Sequence, residues 1–251
     1  MLTEPGPVAS PRLSRRTVLV GALAVPFIAA GCRNASTTRE RTAPGEFTVR
    51  HDGADVRCLF HDRLLAGDRP GCPVMVLLHG ASADASQWFD IGVVAAVDGL
   101  ALGPAVHRVV TVAPDLVDHE HAANLVIDTL LPHLDRRFAP GMYAISGISR
   151  GALVALDVAR DSNTKMVSVG MHSPALRLTA PIEPVSWPAF IDVGDDDSLA
   201  DATTRTASLL RQSGIEVTEH HWPGGHDRTY WRRHLPDYLA FHADAAQRSA
   251  S

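Results

Sequence analysis

The chain has 251 residues, 45% hydrophobic and 20% charged, an ordinary globular composition with apolar material for one full-sized core. Its 23 Lys and Arg against 28 Asp and Glu give a formal net charge of −5, so it has no basic excess and nucleic acid is excluded as an expected partner. A length near 250 admits two small domains, yet α/β folds of this size commonly form one.

The N-terminus is a separate object. Ser14-Arg15-Arg16-Thr17-Val18-Leu19 leads into an apolar run over residues 18–30, which ends at Ala29-Ala30-Gly31-Cys32. A charged front, a short apolar middle and small residues before a cut site make a secretory signal, and the run is too short to span a bilayer comfortably. Arg15-Arg16 resembles a twin-arginine export signal. Ala-Ala-Gly-Cys resembles a bacterial lipobox, in which Cys32 is lipidated and becomes the first mature residue. Ala29 stands where Leu or Val is usual, which keeps plain cleavage or an uncleaved anchor as alternatives. Residues 1–31 are thus expected to be a signal peptide, and the polar stretch 32–45 a flexible tether. Residues 46–251 are expected to be a single domain, lipid-anchored outside the cytoplasm of a bacterium or, alternatively, secreted. There, the remaining cysteines, Cys58 and Cys72, are a disulfide candidate, with two small buried thiols as the alternative.

Beyond the tether, residues 47–50 and 56–60 read as two strands joined by an Asp52-Gly53 turn. The continuous apolar runs 74–78 and 109–113 read as strands buried on both faces. A helix is expected from near Trp88 towards Leu100. Leu125, Ile127, Leu130, Leu131, Leu134 and Phe138 recur at helical spacing over 122–138. Residues 142–146 form a strand before a helix at 152–159. Strands at 166–171, 189–193 and 216–222 then alternate with helices at 199–212 and 230–246. One uninterrupted series of strands and helices implies a mainly parallel sheet covered on both faces. Ligands of such sheets bind beyond the carboxyl ends of the strands.

The chemistry-bearing residues fall at those ends. Gly147-Ile148-Ser149-Arg150-Gly151 sits between a strand and a helix, the context of a nucleophile elbow, with small residues two before and two after Ser149. Pro223-Gly224-Gly225-His226-Asp227 follows the last strand, where His226 can act as general base and then acid. His220 and His221 lie within that strand. Asp195-Asp196-Asp197 follows the preceding strand. One of these aspartates is expected to cap the next helix and another to orient His226, in the chain order Ser, Asp, His. His79-Gly80-Ala81 ends the first buried strand, which makes the backbone N–H groups of Ala81 and Arg150 the candidate oxyanion donors. His79 itself reads as a structural hydrogen-bonder. Asp115, Asp118, His119, Glu120 and His121 form a polar loop without a partnering metal motif, and no metal or other cofactor is expected.

Several blocks resemble the esterase branch of the α/β-hydrolases that includes esterase D and the mycobacterial antigen 85 proteins. They are the His79-Gly80 turn with Trp88, Val112-Ala113-Pro114-Asp115, and the run from Leu131 to Phe138 that leads to the elbow. Gly194-x-x-Asp197 and Gly224-Gly225-His226-Asp227 with Tyr230-Trp231 complete the set. The resemblance covers roughly residues 74–242. It implies an α/β-hydrolase fold, and Asp197 as the acid in preference to Asp195 and Asp196, while the short, proline-punctuated stretch 172–188 has room for a loop but not for a sizeable lid. Members often carry Met after the nucleophile where this chain has Arg150, and the large insertions of some relatives are missing. The expected activity is cleavage of a small-molecule, lipid or glycolipid carboxylic ester through an acyl-enzyme on Ser149, with short acyl chains favoured. Acyl transfer to a sugar or lipid alcohol, and a non-catalytic surface-binding role, are the alternatives.

Overall fold

The computed structural model describes residues 43–64, 72–103, 105–106, 108–116, 121–176 and 178–251, all within one unit of residues 41–251. Its centre is an eight-stranded sheet in the order β1-β2-β4-β3-β5-β6-β7-β8. β1 (Gly45–His51), β2 (Ala54–Leu64) and β4 (Arg108–Pro114) pair antiparallel at one side. β4, β3 (Pro73–Leu78), β5 (Met142–Ile148), β6 (Met166–His172), β7 (Ala189–Gly194) and β8 (Val217–Trp222) run parallel.

The central strands are apolar without interruption because successive side chains supply two different cores. On β3, Val74, Val76 and Leu78 face one core, while Met75 and Leu77 face the other. The first core is closed by α3 (Ala122–Asn124), α4 (Leu131–Phe138), α5 (Arg150–Asp161) and α6 (Ala200–Gln212). The second is closed by α1 (Ser86–Asp90), α2 (Val93–Gly99) and α7 (Arg228–Ala250). Parallel strands with helices on both faces are the α/β-hydrolase arrangement, and no helix or strand interrupts the described residues of 173–188 between β6 and β7. Among the described residues there is no sizeable lid.

Three sequence expectations change. The helix expected from Trp88 to Leu100 is two short helices, because Gly92 takes a left-handed conformation (φ 103°) that ends the first. The segment 122–138 is helical throughout but passes through a π-helical turn at Leu125–Leu130. Pro132 lies just beyond it and cannot donate a backbone hydrogen bond to residue 128, so the ladder widens there. The disulfide between Cys58 and Cys72 is corrected: both are free buried thiols. Cys58 pairs opposite Pro114, at the carboxyl end of β4, whereas Cys72 precedes β3, whose Val74 pairs with Val110. The two lie about six residues apart along β4, roughly 20 Å at the usual rise, and on either side of that strand. Burial pushes the Cys58 thiol up to about 12, so it is inert as well as unpaired.

Candidate active site

Ser149 occupies the turn between β5 and α5, with φ 54° and ψ −115°. A non-glycine residue takes that conformation only where its surroundings enforce it. Here they do. A Cβ on Gly147 would lie 2.1 Å from the Gly151 carbonyl oxygen, and one on Gly151 would lie 2.5 Å from the Leu78 oxygen. The two glycines therefore let the strand, the turn and the helix meet. The Ser149 N–H donates to the His172 carbonyl at 2.8 Å, and the Ser149 carbonyl accepts from Ala152 and Ala175, each at 3.1 Å.

Three sequence-selected side chains converge above the sheet. Ser149 Oγ–H donates to His226 Nε2 at 3.0 Å, and His226 Nδ1–H donates to Asp197 Oδ2 at 2.7 Å. An ionised carboxylate can only accept, so Asp197 fixes the tautomer that leaves Nε2 as the acceptor facing serine. The Asp197 side chain is fully buried and the His226 side chain 36% exposed, which leaves the imidazole open to substrate and water. The expectation that one aspartate caps the next helix while another orients His226 is corrected: Asp197 orients His226, and no side chain caps α6, whose N-cap is Leu199. Asp197 Oδ1 accepts the Leu199 N–H at 2.9 Å while Oδ2 holds the histidine. Asp195 and Asp196 are exposed, and only their backbone N–H groups reach across, to the carbonyls of Trp222 and Gly224. His220 and His221 stay on β8, away from Ser149, with His221 bonded to Glu219.

The turn after β3 lies against the nucleophile: a Cβ on Gly80 would sit 3.6 Å from Ser149 Cβ. That places Ala81 beside the serine and Arg150 directly after it. His79 is structural, as read, accepting the Leu116 N–H at 2.8 Å and facing the Gly80 carbonyl. Asp115 is held by Arg57 at 2.9 Å and by the Ala85 N–H at 2.6 Å. The Arg150 side chain is exposed. Cys32 and residues 118–120 lie outside the described residues. Among the described residues no cluster of His, Cys, Asp and Glu is arranged to hold a metal ion.

Two further residues, to which the sequence assigned no role, support the site. Gln87 is buried and its Oε1 accepts the Gly80 N–H at 2.8 Å, which braces the turn before Ala81. Trp231 presents its edge to the His226 ring, with centroids 5.1 Å apart. A polar residue on an otherwise apolar helix face marks Gln87. The aromatic pair after His226 marks Trp231.

A strained serine on a strand-to-helix turn, bonded to a histidine that is bonded to a buried aspartate, defines a serine hydrolase of the α/β-hydrolase class. The chain belongs to the family described as "Putative esterase", whose model matches residues 68–201, and it is a carboxylic ester hydrolase. That match ends before β8, so His226 rests on its loop after the last strand and on the geometry of the site. Solved structures of similar fold include a ferulic acid esterase (18% identity, TM-score 0.67, covering 80% of this chain and 97% of that one). Others are an S-formylglutathione hydrolase from Staphylococcus aureus (15%, TM-score 0.64, 80% and 96%) and Est1E from Butyrivibrio proteoclasticus (14%, TM-score 0.60, 80% and 98%). No curated protein sequence matches.

Proposed function

We propose that the chain hydrolyses short-chain carboxylic esters through an acyl-enzyme on Ser149. The Ser149–His226–Asp197 geometry carries this reading. His226 Nε2 takes the proton as Ser149 Oγ bonds to the ester carbonyl carbon, and Asp197 steadies the imidazolium that results. The Ala81 and Arg150 N–H groups donate to the oxyanion, at the amino end of α5 where the helix dipole also favours negative charge. Collapse breaks the ester C–O bond, and His226 returns the proton to the leaving alcohol. A water then repeats the cycle against the acyl group and releases the acid.

The chain-length preference follows from an entrance over which the described residues of 173–188 place no helix. Those described residues supply a loop where a helical cap would stand, so a long acyl chain gains no extended apolar wall. Each buried methylene is worth about 0.8 kcal/mol, and discrimination by length needs that wall. The same opening admits water, which favours hydrolysis over transfer to an alcohol. Fluorophosphonate labelling followed by mass spectrometry should find Ser149 modified. kcat/KM on p-nitrophenyl esters should be flat or fall beyond about six carbons. Modification elsewhere would end the nucleophile assignment. A steep rise with length, or predominant transfer to an added sugar, would favour an acyltransferase.

We also propose that the protein is exported and held at the membrane by acyl chains on Cys32, with residues 32–45 as the tether. The motif at residues 29–32 supports this. Wild type should enter the detergent-rich phase on partitioning and Cys32→Ala should not. Identical aqueous partitioning of both would refute it.

A further inference from the structure

Beneath the site lies a second serine, histidine and aspartate, all buried. The adjacent strands β5, β6 and β7 bring together Ser146, His172 and Asp192. His172 Nδ1–H donates to Asp192 Oδ1 at 2.7 Å, and its Nε2 lies 2.6 Å from Ser146 Oγ. Asp192 Oδ2 accepts the hydroxyls of Tyr230 and Tyr238, at 2.7 and 2.8 Å. Beyond Ser146, His242 Nε2 lies 3.2 Å from the same Oγ, and His242 Nδ1 lies 2.8 Å from Ser168 Oγ. Burial, with a smaller contribution from the neighbouring His172, pushes His242 down to about 3, which keeps it neutral. One directional arrangement uses every hydrogen. Ser168 donates to His242, His242 to Ser146, Ser146 to His172, and His172 to Asp192. Gly170 makes room for this junction, since a Cβ there would lie 2.3 Å from Ser146 Oγ and 2.9 Å from His242 Nε2.

Cohesion alone does not account for such a cluster. A buried carboxylate must be compensated by donors, and well-packed apolar residues of the same volume usually hold a core as firmly. What Asp192 touches suggests another role. Its partner His172 supplies the carbonyl that holds the Ser149 N–H. Its partner Tyr230 clamps the histidine loop from both sides. The Tyr230 N–H donates to Asp227 just after His226, and its ring lies 2.8 Å from where a Gly224 Cβ would be, just before it. The Asp192 carbonyl accepts the Ser173 N–H, and Ser173 Oγ accepts from Trp231, the residue edge-on to His226. Asp192 itself sits on β7, five residues before Asp197.

We propose that Asp192 is a positioning residue: one buried anion that, through His172 and Tyr230, holds the nucleophile turn and the His226 loop at their mutual distance. The proposal rests on Ser149 and His226 being the reacting pair. Small displacements of such pairs cost large factors in rate without weakening substrate binding.

The test uses the full chain with p-nitrophenyl acetate, and Tyr143→Phe as the reference. Tyr143 is another buried tyrosine, whose hydroxyl donates to Asp135 at 2.8 Å on the other face of the sheet. Tyr230→Phe should lower kcat about tenfold or more with KM within about twofold, and Asp192→Asn about a hundredfold. Tyr143→Phe should lose thermal stability and stay within about twofold of wild-type kcat. Equal kcat for Tyr230→Phe and Tyr143→Phe at similar melting temperature would overturn the proposal, as would a loss of Tyr230→Phe activity confined to KM. If Asp192→Asn does not fold, the tyrosine pair decides. Fluorophosphonate labelling of wild type is the separate arm: its failure at Ser149 sinks the catalytic reading, whereas labelled and active wild type with unaffected Tyr230→Phe sinks only the positioning role.

Discussion

The Trp231 indole stands edge-on to the His226 imidazole, with the planes at 84° and the centroids 5.1 Å apart. Its Nε1–H donates to Ser173 Oγ at 3.2 Å, which fixes the indole from behind. The tryptophan is therefore a wall that limits how far the histidine swings from Ser149. Trp231→Ala should lower kcat by about tenfold to a hundredfold, while Trp231→Phe, which keeps an edge, should lose much less. Steady-state kinetics on one soluble ester checks this, and equal losses for the two variants would remove the wall argument.

Asp197 serves two partners with two oxygens, so its amide variant is informative. In Asp197→Asn the single carbonyl can accept either from Leu199 or from His226, and the amide N–H2 presented to Nδ1 favours the wrong tautomer. The expected loss in kcat is about 10³ to 10⁴. Asp195→Asn and Asp196→Asn should remain within about twofold of wild type, because only backbone groups of those residues reach the site. Comparable losses across the three would misplace the acid.

The Ser149 backbone stores strain that glycine would not. A positive φ in a non-glycine residue costs about 1–3 kcal/mol, against about 0.5–1 kcal/mol for the extra unfolded-state freedom of glycine. Ser149→Gly should be inactive yet melt at or above the temperature of Ser149→Ala. Differential scanning calorimetry of the two variants decides, and a clearly lower midpoint for the glycine variant contradicts the strain.

His242 should make the fold acid-sensitive. Burial lowers its folded value from 6.5 to about 3, so between those values the unfolded chain binds a proton that the folded chain refuses. Stability therefore falls as pH drops from about 6.5, by up to a few kcal/mol near pH 3 from this group. His133 and His234 are lowered by burial as well and act in the same direction. Urea midpoints at pH 7.5, 6 and 5 should fall more steeply for wild type than for His242→Gln. Parallel slopes would exclude this source.

The central strands β3 to β7 were legible because each is a short, mainly apolar run bounded by turn residues, and Ser149, Asp197 and His226 because each follows its own strand. The double duty of Asp197 was not, since three neighbouring aspartates offer the same side chain and only the turn geometry separates them. Nor was the Ser146–His172–Asp192 cluster. Each member reads as one polar interruption in an apolar strand, and only the strand order β5-β6-β7 makes them neighbours. Cys58 and Cys72 failed for the same reason in reverse: near in sequence, they are carried apart by the antiparallel edge.

The bare loop between β6 and β7 has a kinetic meaning. An entrance over which the described residues place no helix needs no oil–water boundary to open it. Rate should follow dissolved ester hyperbolically and show no jump as the substrate crosses its solubility limit. A lipid tether on such a protein would set where catalysis happens, not whether it is switched on.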